Sequence, residues 1–224
     1  MLGSIYKSSI LACLFLLTSS LGAANKKIVK PTKIPLYQGV TVGVEVLQPA
    51  LGLLSKQSGL SGKIDLNLRN NYFPTLEIGH AVLDRTAENG TQGLANGTYF
   101  KLGVNKALTS FGTHAENQFF AGAHYGLSSF QYQVKQLNWA DSYWNSSLPS
   151  NMPNQWGLAG WFELVVGVRV DIGGPFSMGW TGQYKTPLHV SKGDMGFPPL
   201  IPGYGENLKP QTGFAVHFYY RLPF

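Results

Sequence analysis

The sequence predicts an all-β protein, an eight-stranded antiparallel up-and-down barrel, and three observations carry that prediction. Eight segments alternate apolar and polar residues with a period of two, as half-buried strands do. Glycine supplies 27 of the 224 residues and aromatic residues 13%, whereas only 12% are charged, a balance that favours short strands and tight turns. Short and long connections alternate between the segments, which is the layout of a transmembrane barrel of the outer-membrane type.

Residues 1–24 are predicted to be a secretory signal peptide. Lys7 supplies the positive start, residues 10–17 are mostly apolar, and residues 22–24 are small enough for cleavage. The apolar stretch is shorter than the roughly 20 residues that a membrane-spanning helix needs. The single cysteine, Cys13, lies inside it, so the mature chain is predicted to lack disulfides and thiol chemistry.

Residues 25–36 are predicted to form a basic periplasmic segment. It holds the lysines Lys26, Lys27, Lys30 and Lys33, which make up much of the formal net charge of +6. We interpret it as a solvated leader beside anionic lipid. Because the exported chain carries no basic–aromatic motif for nucleic acid, nucleic acid is not expected as a partner.

The first four strands are predicted where every second residue is apolar. Their apolar positions are Val40, Val42, Val44 and Val46; Ile64, Leu66 and Leu68; Leu76, Ile78 and Val82; and Phe100, Leu102 and Val104. A tight turn is expected at Asn70-Asn71, between the second and third strands, because asparagine tolerates turn conformations. Long external loops are expected at residues 48–60 and 84–96.

The last four strands continue the same alternation. Their apolar positions are Phe119, Ala121, Ala123, Tyr125 and Leu127; Phe162, Leu164, Val166, Val168, Val170 and Ile172; Phe176, Met178, Trp180 and Tyr184; and Phe214, Val216, Phe218, Tyr220, Leu222 and Phe224. A tight turn is expected at residues 173–175, a turn of moderate length at residues 108–116, and long external loops at residues 129–154 and 186–212. The eight strands and four loops make one barrel domain, residues 37–224, with both chain ends in the periplasm.

The polar faces of the strands are predicted to line the lumen with one charge network. Its members are Glu45, Lys63, Asp65, Arg69, Glu77, Lys101, His124, Glu163, Arg169, Asp171, Lys185, His217 and Arg221. Six basic and five acidic residues indicate mutual neutralisation, so we expect negligible conductance. In a soluble barrel the apolar face would point inward instead, but eight strands leave little room for large side chains in a lumen. The apolar face is therefore assigned to outer-membrane lipid.

The last strand carries a second signal for the outer membrane. Its alternating apolar residues, ending in Phe224, resemble the terminal signal that the barrel-assembly machinery reads. The residues that form this predicted assembly signal are Phe214, Val216, Phe218, Tyr220, Leu222 and Phe224. The assembly machinery is therefore an expected partner during insertion, beside the lipid itself.

Five stretches of the chain together carry a resemblance to a known family. They are residues 72–79, 97–103, 122–130, 161–170 and 201–204. The sequence resembles small outer-membrane β-barrel proteins of Bacteroidota that are catalogued as a domain of unknown function. The resemblance spans nearly all of the mature chain and implies a location in the outer membrane and a β-barrel fold. It implies no catalytic residues, and His124 stands where the family's matching segment usually carries arginine.

No catalytic group, metal site or cofactor is predicted from the remaining chemistry. The five histidines are His80, His114, His124, His189 and His217. A pairing of His124 with Ser128 is weighed and set aside, because four residues along a strand separate them by about 13 Å. The histidines and carboxylates show no close spacing of the kind that binds zinc. We therefore expect that the protein is not an enzyme.

The long third and fourth loops are rich in aromatic residues and proline, which favours protein contacts. The candidate partner-docking residues are Tyr132, Trp139, Tyr143, Trp144, Phe197 and Tyr204. The expected function is that of a non-catalytic structural or accessory subunit of an envelope complex, with a surface lipoprotein or a larger barrel as partner. The alternatives are that these loops form a lid, and that the protein is a narrow pore, a surface-binding barrel or a lipid-modifying enzyme.

Overall fold

A computed structural model describes most of the predicted barrel domain. The described residues are 35–52, 57–87, 91–110, 117–135, 137–141, 146–150, 153–193, 196–206 and 209–223, with the backbone alone described for residues 137–141 and 146–150. The predicted signal peptide, most of the basic segment and the predicted site residues Tyr143, Trp144 and Phe224 lie outside this range, as does His114. The side chain of Trp139 lies outside it too.

Eight long strands make up the main sheet, and each corresponds to a predicted one. They are β1 (Tyr37–Glu45), β2 (Ser58–Leu68), β3 (Tyr72–Thr86), β4 (Gln92–Ser110), β5 (Gln118–Lys135), β8 (Gln155–Gly173), β9 (Phe176–Val190) and β12 (Gln211–Arg221). Two short pairs are β6 (Leu137–Asp141) with β7 (Ser146–Ser150), and β10 (Leu200–Ile201) with β11 (Gly205–Glu206). A six-residue helix, α1 (Leu47–Gly52), follows β1.

The eight strands form one closed antiparallel barrel in the order β1-β12-β9-β8-β5-β4-β3-β2. Every strand pairs with its neighbours along the chain, except that β1 and β12 pair to close the ring. This arrangement confirms the predicted all-β, up-and-down fold. Among the described residues, no helix is long and apolar enough to cross a membrane.

One end of the ring, here called the turn end, holds the tight turns between β2 and β3 and between β8 and β9. Arg69 and Asn70 adopt positive φ values of 55° and 52° between β2 and β3. The Oδ1 atom of Asn67 accepts a hydrogen bond of 2.9 Å from the backbone N–H of Asn70, which closes this turn. Gly174, with φ 62°, provides the left-handed conformation between β8 and β9. The opposite end, where β1 leads to β2 and β9 leads to β12, is here called the loop end.

The strands differ in length more than the sequence predicts. β4 and β8 each have 19 residues, whereas β1 has 9 and β12 has 11. The extra length lies at the loop end, so parts of the predicted loops 84–96, 129–154 and 186–212 are strand. The predicted loops were too long because the outward residues of these extensions are polar. The apolar–polar alternation that marks a strand is therefore absent there. The ring therefore carries a wall of β3, β4, β5 and β8 that rises at its loop end.

Candidate functional site

The interior of the ring is the candidate site, because most of the predicted charge network is buried there. Ten of the thirteen predicted residues have a relative exposure of 7% or less. These ten are Glu45, Lys63, Asp65, Glu77, Lys101, His124, Glu163, Arg169, Lys185 and His217. They lie on the strand positions that alternate with exposed apolar residues, so the pleat turns them inward.

Glu163 on β8 is the centre of the network and is fully buried. Its Oε1 atom lies 3.4 Å from the Lys101 ammonium of β4 and 3.7 Å from the Lys185 ammonium of β9. The same oxygen accepts a 2.8 Å hydrogen bond from the indole N–H of Trp161. Lys101 also lies 3.2 Å from Glu77 Oε1 on β3. The carboxylate of Glu163 on β8 thus links ammonium groups from β4 and β9.

A second ion pair crosses the full width of the ring. Asp65 on β2 accepts a hydrogen bond from the guanidinium of Arg169 on β8, and three strands separate β2 from β8 in either direction. Asp65 also accepts a 2.8 Å hydrogen bond from Thr75 and has the Lys63 ammonium at 3.9 Å. The Arg169 guanidinium lies 3.9 Å from the centre of the Tyr219 ring. Side chains therefore fill the lumen at this level.

Hydrogen bonds between neutral groups join the two ion-pair centres. Asn105 donates a 3.1 Å bond to the Thr75 hydroxyl, and its Oδ1 atom lies 3.0 Å from Nε2 of His124. Because an amide oxygen only accepts, Nε2 carries the proton in this contact. Nδ1 of His124 then faces Glu163 at 3.9 Å. Both ring nitrogens of His124 thus face partners inside the network. The Ser128 hydroxyl instead donates to the backbone carbonyl of Thr98 at 3.4 Å.

The remaining buried members occupy the edges of the network. Glu45 accepts a 3.5 Å hydrogen bond from the Ser61 hydroxyl. His217 stacks on Tyr219, with ring centres 5.7 Å apart. The buried basic residues are Lys63, Lys101, Arg169 and Lys185, and the buried acidic residues are Glu45, Asp65, Glu77 and Glu163. Four positive and four negative groups make the interior formally neutral, as a buried network must be to be tolerated.

Three predicted members do not belong to the buried interior. Arg69 is exposed in the turn between β2 and β3, and Arg221 is exposed at the last position of β12. Asp171 is half-buried near the end of β8, where its backbone N–H bonds to Asn117 at 2.7 Å. The prediction was wrong for Arg69 and Arg221 because the inward–outward alternation of the strands was continued past the end of the ring. Beyond that end, a side chain at an inward position reaches solvent.

The loop end of the interior is closed by an apolar cap. Its residues are Ala81, Ala95, Tyr99, Phe130, Tyr132, Ala159, Trp161, Leu200, Ile201 and Tyr204. The β10–β11 turn folds into the mouth of the ring, and the rings of Tyr204 and Trp161 lie 5.7 Å apart. The Lys185 ammonium donates a 2.8 Å hydrogen bond to the carbonyl of Gly203. Lys185 thus joins the cap to the charge network.

The cap changes the interpretation of the predicted docking residues. Tyr132 is 5% exposed, and its hydroxyl donates to Gln155 at 2.8 Å. Tyr204 is 4% exposed, and burial raises the pKa of its phenol. Both residues were predicted to dock a partner, and that prediction is wrong because they pack inward as parts of a lid. Phe197 is 47% exposed and remains a candidate surface residue.

Sequence reasoning missed the large aromatic residues that point inward beside glycines. Trp161 lies opposite Gly126 in the β5–β8 register, and a Cβ added to Gly126 would stand 2.2 Å from the indole. Tyr219 lies opposite Gly43 in the same way, and a Cβ there would stand 2.6 Å from its ring. The available signal was an aromatic residue in the polar phase of one strand and a glycine in the polar phase of its neighbour.

Other candidate chemistry is sparse in the part of the chain that the structure describes. A cavity of about 250 Å³ lies between α1 and the cap, with Gln48, Lys185 and Tyr204 among its lining residues. No group of three or more histidine, cysteine or acidic residues there could hold a metal ion. His80 and His189 are exposed, and Nδ1 of His80 lies 3.2 Å from the Thr98 hydroxyl.

The fold and interior define an all-β protein with a closed ring of eight up-and-down strands and a neutral, charged interior. The chain belongs to the family described as Domain of unknown function (DUF6048), whose model matches residues 5–224. Comparison with curated proteins and with solved structures gives no match.

Proposed function

We propose that the protein is a non-conducting, non-catalytic barrel of a bacterial outer membrane, of the Bacteroidota type, and an accessory subunit of an envelope complex. The observation that carries the proposal is the opposite polarity of the two faces. Charged groups are paired inside, while large apolar side chains are exposed outside, including Ile78 at 59%, Leu102 at 57% and Val166 at 62%. A barrel in lipid requires this inverted arrangement.

The height of the apolar face supports a membrane position. On β5 the outward residues from Phe119 to Leu127 are apolar, and Ser129 is the next outward residue. The nine residues from Phe119 to Leu127 cover about 30 Å along the strand. At a strand tilt of about 40°, this length spans about 23 Å along the barrel axis, close to the apolar band of about 25 Å in outer-membrane barrels.

Aromatic residues at the turn end support the same position. The outward residues Tyr72, Phe119, Phe176 and Tyr220 are each at least 37% exposed. They lie on β3, β5, β9 and β12, and the rings of Phe176 and Tyr220 are 5.2 Å apart. Aromatic girdles of this kind mark the edges of the apolar band in membrane barrels.

The filled lumen supports a role other than transport. The Asp65–Arg169 pair bridges the ring near the turn end, Glu163 binds two lysines at mid-height, and the cap closes the loop end. For ions to pass through, the Asp65–Arg169 pair would have to separate, and so would the contacts of Glu163 with its two lysines. An accessory role leaves the loop end as the partner surface, with Phe197 and the raised wall exposed there.

The proposal is tested with the full mature chain, purified in mild detergent from its native membrane. We expect it to insert into planar bilayers without ion-conducting events, and to retain a stoichiometric protein partner identified by mass spectrometry. Steady single-channel currents from the pure protein would favour the pore. A chain that stays soluble and monodisperse after the detergent is removed would contradict the membrane position, and a chain that elutes alone would contradict the accessory role.

A further inference from the structure

The outer face of the raised wall changes character just beyond the apolar band. His80, Thr98 and Ser129 lie side by side on β3, β4 and β5 and point outward. The next outward row towards the loop end contains Asn96, Gln131 and Trp156, again on adjacent strands. Neighbours on one face of an antiparallel sheet have Cβ atoms about 5 Å apart. Hydroxyl, amide and indole groups therefore form one continuous surface.

Two shallow grooves on this surface meet to form a single trough. One has a volume of about 290 Å³ and runs past His80, Thr98, Ser129 and Trp156. The other has a volume of about 220 Å³ and runs past Val82 and Asn154. Both grooves are lined by Asn96 and Gln131. The two grooves together are here called the Trp156 trough.

Trp156 gives the trough an apolar platform at one edge. Its side chain is 69% exposed, the highest value among the exposed large hydrophobic residues that the structure describes. It stands in the row beyond the His80–Thr98–Ser129 row, with Gln131 directly beside it on β5. The exposure of an indole in the middle of an apolar band is explained by contact with lipid alone. An indole among amides offers a flat apolar face beside hydrogen-bonding groups.

The amide and hydroxyl groups of the trough carry no formal charge and are partly oriented. The side-chain amide of Asn154 donates a 2.8 Å hydrogen bond to Oε1 of Gln131, which fixes the direction of the Gln131 amide. Asn96 contributes another amide, with donors and an acceptor. No lysine, arginine, aspartate or glutamate is among the described residues that line either groove. A phosphate or carboxylate would therefore find no lysine or arginine to pair with there.

We propose that the Trp156 trough binds uncharged sugar rings. The C–H face of a sugar ring is apolar and stacks on an indole, while its hydroxyls both donate and accept hydrogen bonds, as the amides of Asn96 and Gln131 do. The ligand is the uncharged part of an oligosaccharide, carried either on a glycolipid of the outer leaflet or on a soluble glycan. The trough lies on the strands themselves, so its binding is measurable in detergent, independently of the membrane proposal.

The first experiment is a binding screen of the full mature chain in detergent. The probes are uncharged oligosaccharides of glucose, galactose, mannose and N-acetylglucosamine, with heparin fragments as acidic controls. We expect at least one uncharged probe to bind by calorimetry and to change the tryptophan fluorescence, and the heparin fragments not to bind. Absence of binding at millimolar concentration, or equal binding of the acidic controls, would overturn the proposal.

Matched variants then assign the binding to the trough. Trp156→Ala is expected to weaken binding of the best probe at least tenfold, Gln131→Ala several-fold, and Trp156→Phe only slightly. Trp180→Phe, in the outward face of β9, serves as the control and is expected to bind like the wild type. If Trp156→Ala binds the probe unchanged, or loses a co-purifying protein instead of the sugar, the trough is not a sugar site.

A last comparison distinguishes the two sources of the sugar. The wild type is reconstituted into vesicles of phospholipid alone or with a glycolipid that bears the best probe's sugar. Preferential retention of the glycolipid by the wild type but not by Trp156→Ala assigns the site to membrane glycans. Binding of the free oligosaccharide alone assigns it to soluble glycans. Equal behaviour of the two proteins in both assays contradicts the site.

Discussion

In the turn-end half of the ring, Asp65 reaches Arg169 across the full width, whereas in the loop-end half the space is filled by the rings of Tyr99, Trp161 and Tyr204. The first half uses residues that come from the barrel strands themselves. The second half needs the β10–β11 turn, which enters from a connection between strands. The comparison shows two ways to fill one lumen, by charge pairs across it and by a segment folded into its mouth.

The largest expected effect comes from removing both fillings at once. Replacing residues 200–206 by a Gly-Ser linker is expected to leave the barrel non-conducting, because the Asp65–Arg169 layer remains. Adding Asp65→Ser with Arg169→Ser and Glu163→Ser with Lys185→Ser removes one ion pair from each charged layer, and is expected to give measurable single-channel currents. Removing both partners avoids leaving one buried charge unpaired.

Planar-bilayer recordings check this prediction, with flotation on lipid vesicles as the control for insertion. Currents from the linker variant alone would mean that the charge layer does not seal the lumen. Absence of current from the inserted combined variant would mean that other side chains close the lumen.

Glu163 links the two halves, so its loss is expected to destabilise both. Glu163→Ala leaves Lys101 and Lys185 without their shared carboxylate in a buried site. Breaking a buried ion pair from one side typically costs about 3–5 kcal/mol. Glu163→Gln keeps the shape and a hydrogen-bond acceptor for Trp161, and is expected to cost less.

Urea unfolding in lipid vesicles, followed by tryptophan fluorescence, measures this free energy. A Glu163→Ala variant as stable as the wild type would contradict a central role for this carboxylate. A Glu163→Gln variant as unstable as Glu163→Ala would mean that its charge, rather than its shape, carries the effect.

Gly126 and Trp161 are in contact at the boundary between the two halves of the ring. Gly126→Ala places a Cβ 2.2 Å from the buried indole, and the overpacking is expected to cost about 1–3 kcal/mol. Gly182→Ala is the matched control, because a Cβ there would have its nearest neighbour at 3.7 Å. The same unfolding assay compares the two variants. Equal stabilities would show that the cap yields easily to added volume.

The smallest expected effect lies at the rim of the cap. Arg85 and Glu206 form an ion pair whose side chains are 56% and 35% exposed. Solvent-exposed pairs contribute roughly 0–1 kcal/mol, so Arg85→Ala is expected to change stability little. The difference from the wild type should fall further as salt is raised. A loss comparable to that of Glu163→Ala would show that this pair, rather than the interior, holds the cap.

Most of the fold was predictable because alternation is a local property of the chain. That Ile78 and Glu77 lie on opposite faces of β3 follows from their neighbours in sequence alone. The ends of the strands were not predictable in this way. Arg69 and Arg221 continue the inward phase but lie where the ring has ended, and outward polar residues such as Asn96 and Gln131 concealed the length of β4 and β5.

Local alternation is enough to give the number of strands and the two opposite faces of each strand, because a period of two is read from neighbouring residues. Which charges meet depends instead on how the ring closes. Asp65 and Arg169 are 104 residues apart in the chain, and they become partners because closing the ring brings β2 and β8 to face each other. The same holds for Tyr204, an expected surface residue that the folded chain places in a lid. Its burial depends on the space that Tyr99 and Trp161 leave at the mouth of the ring.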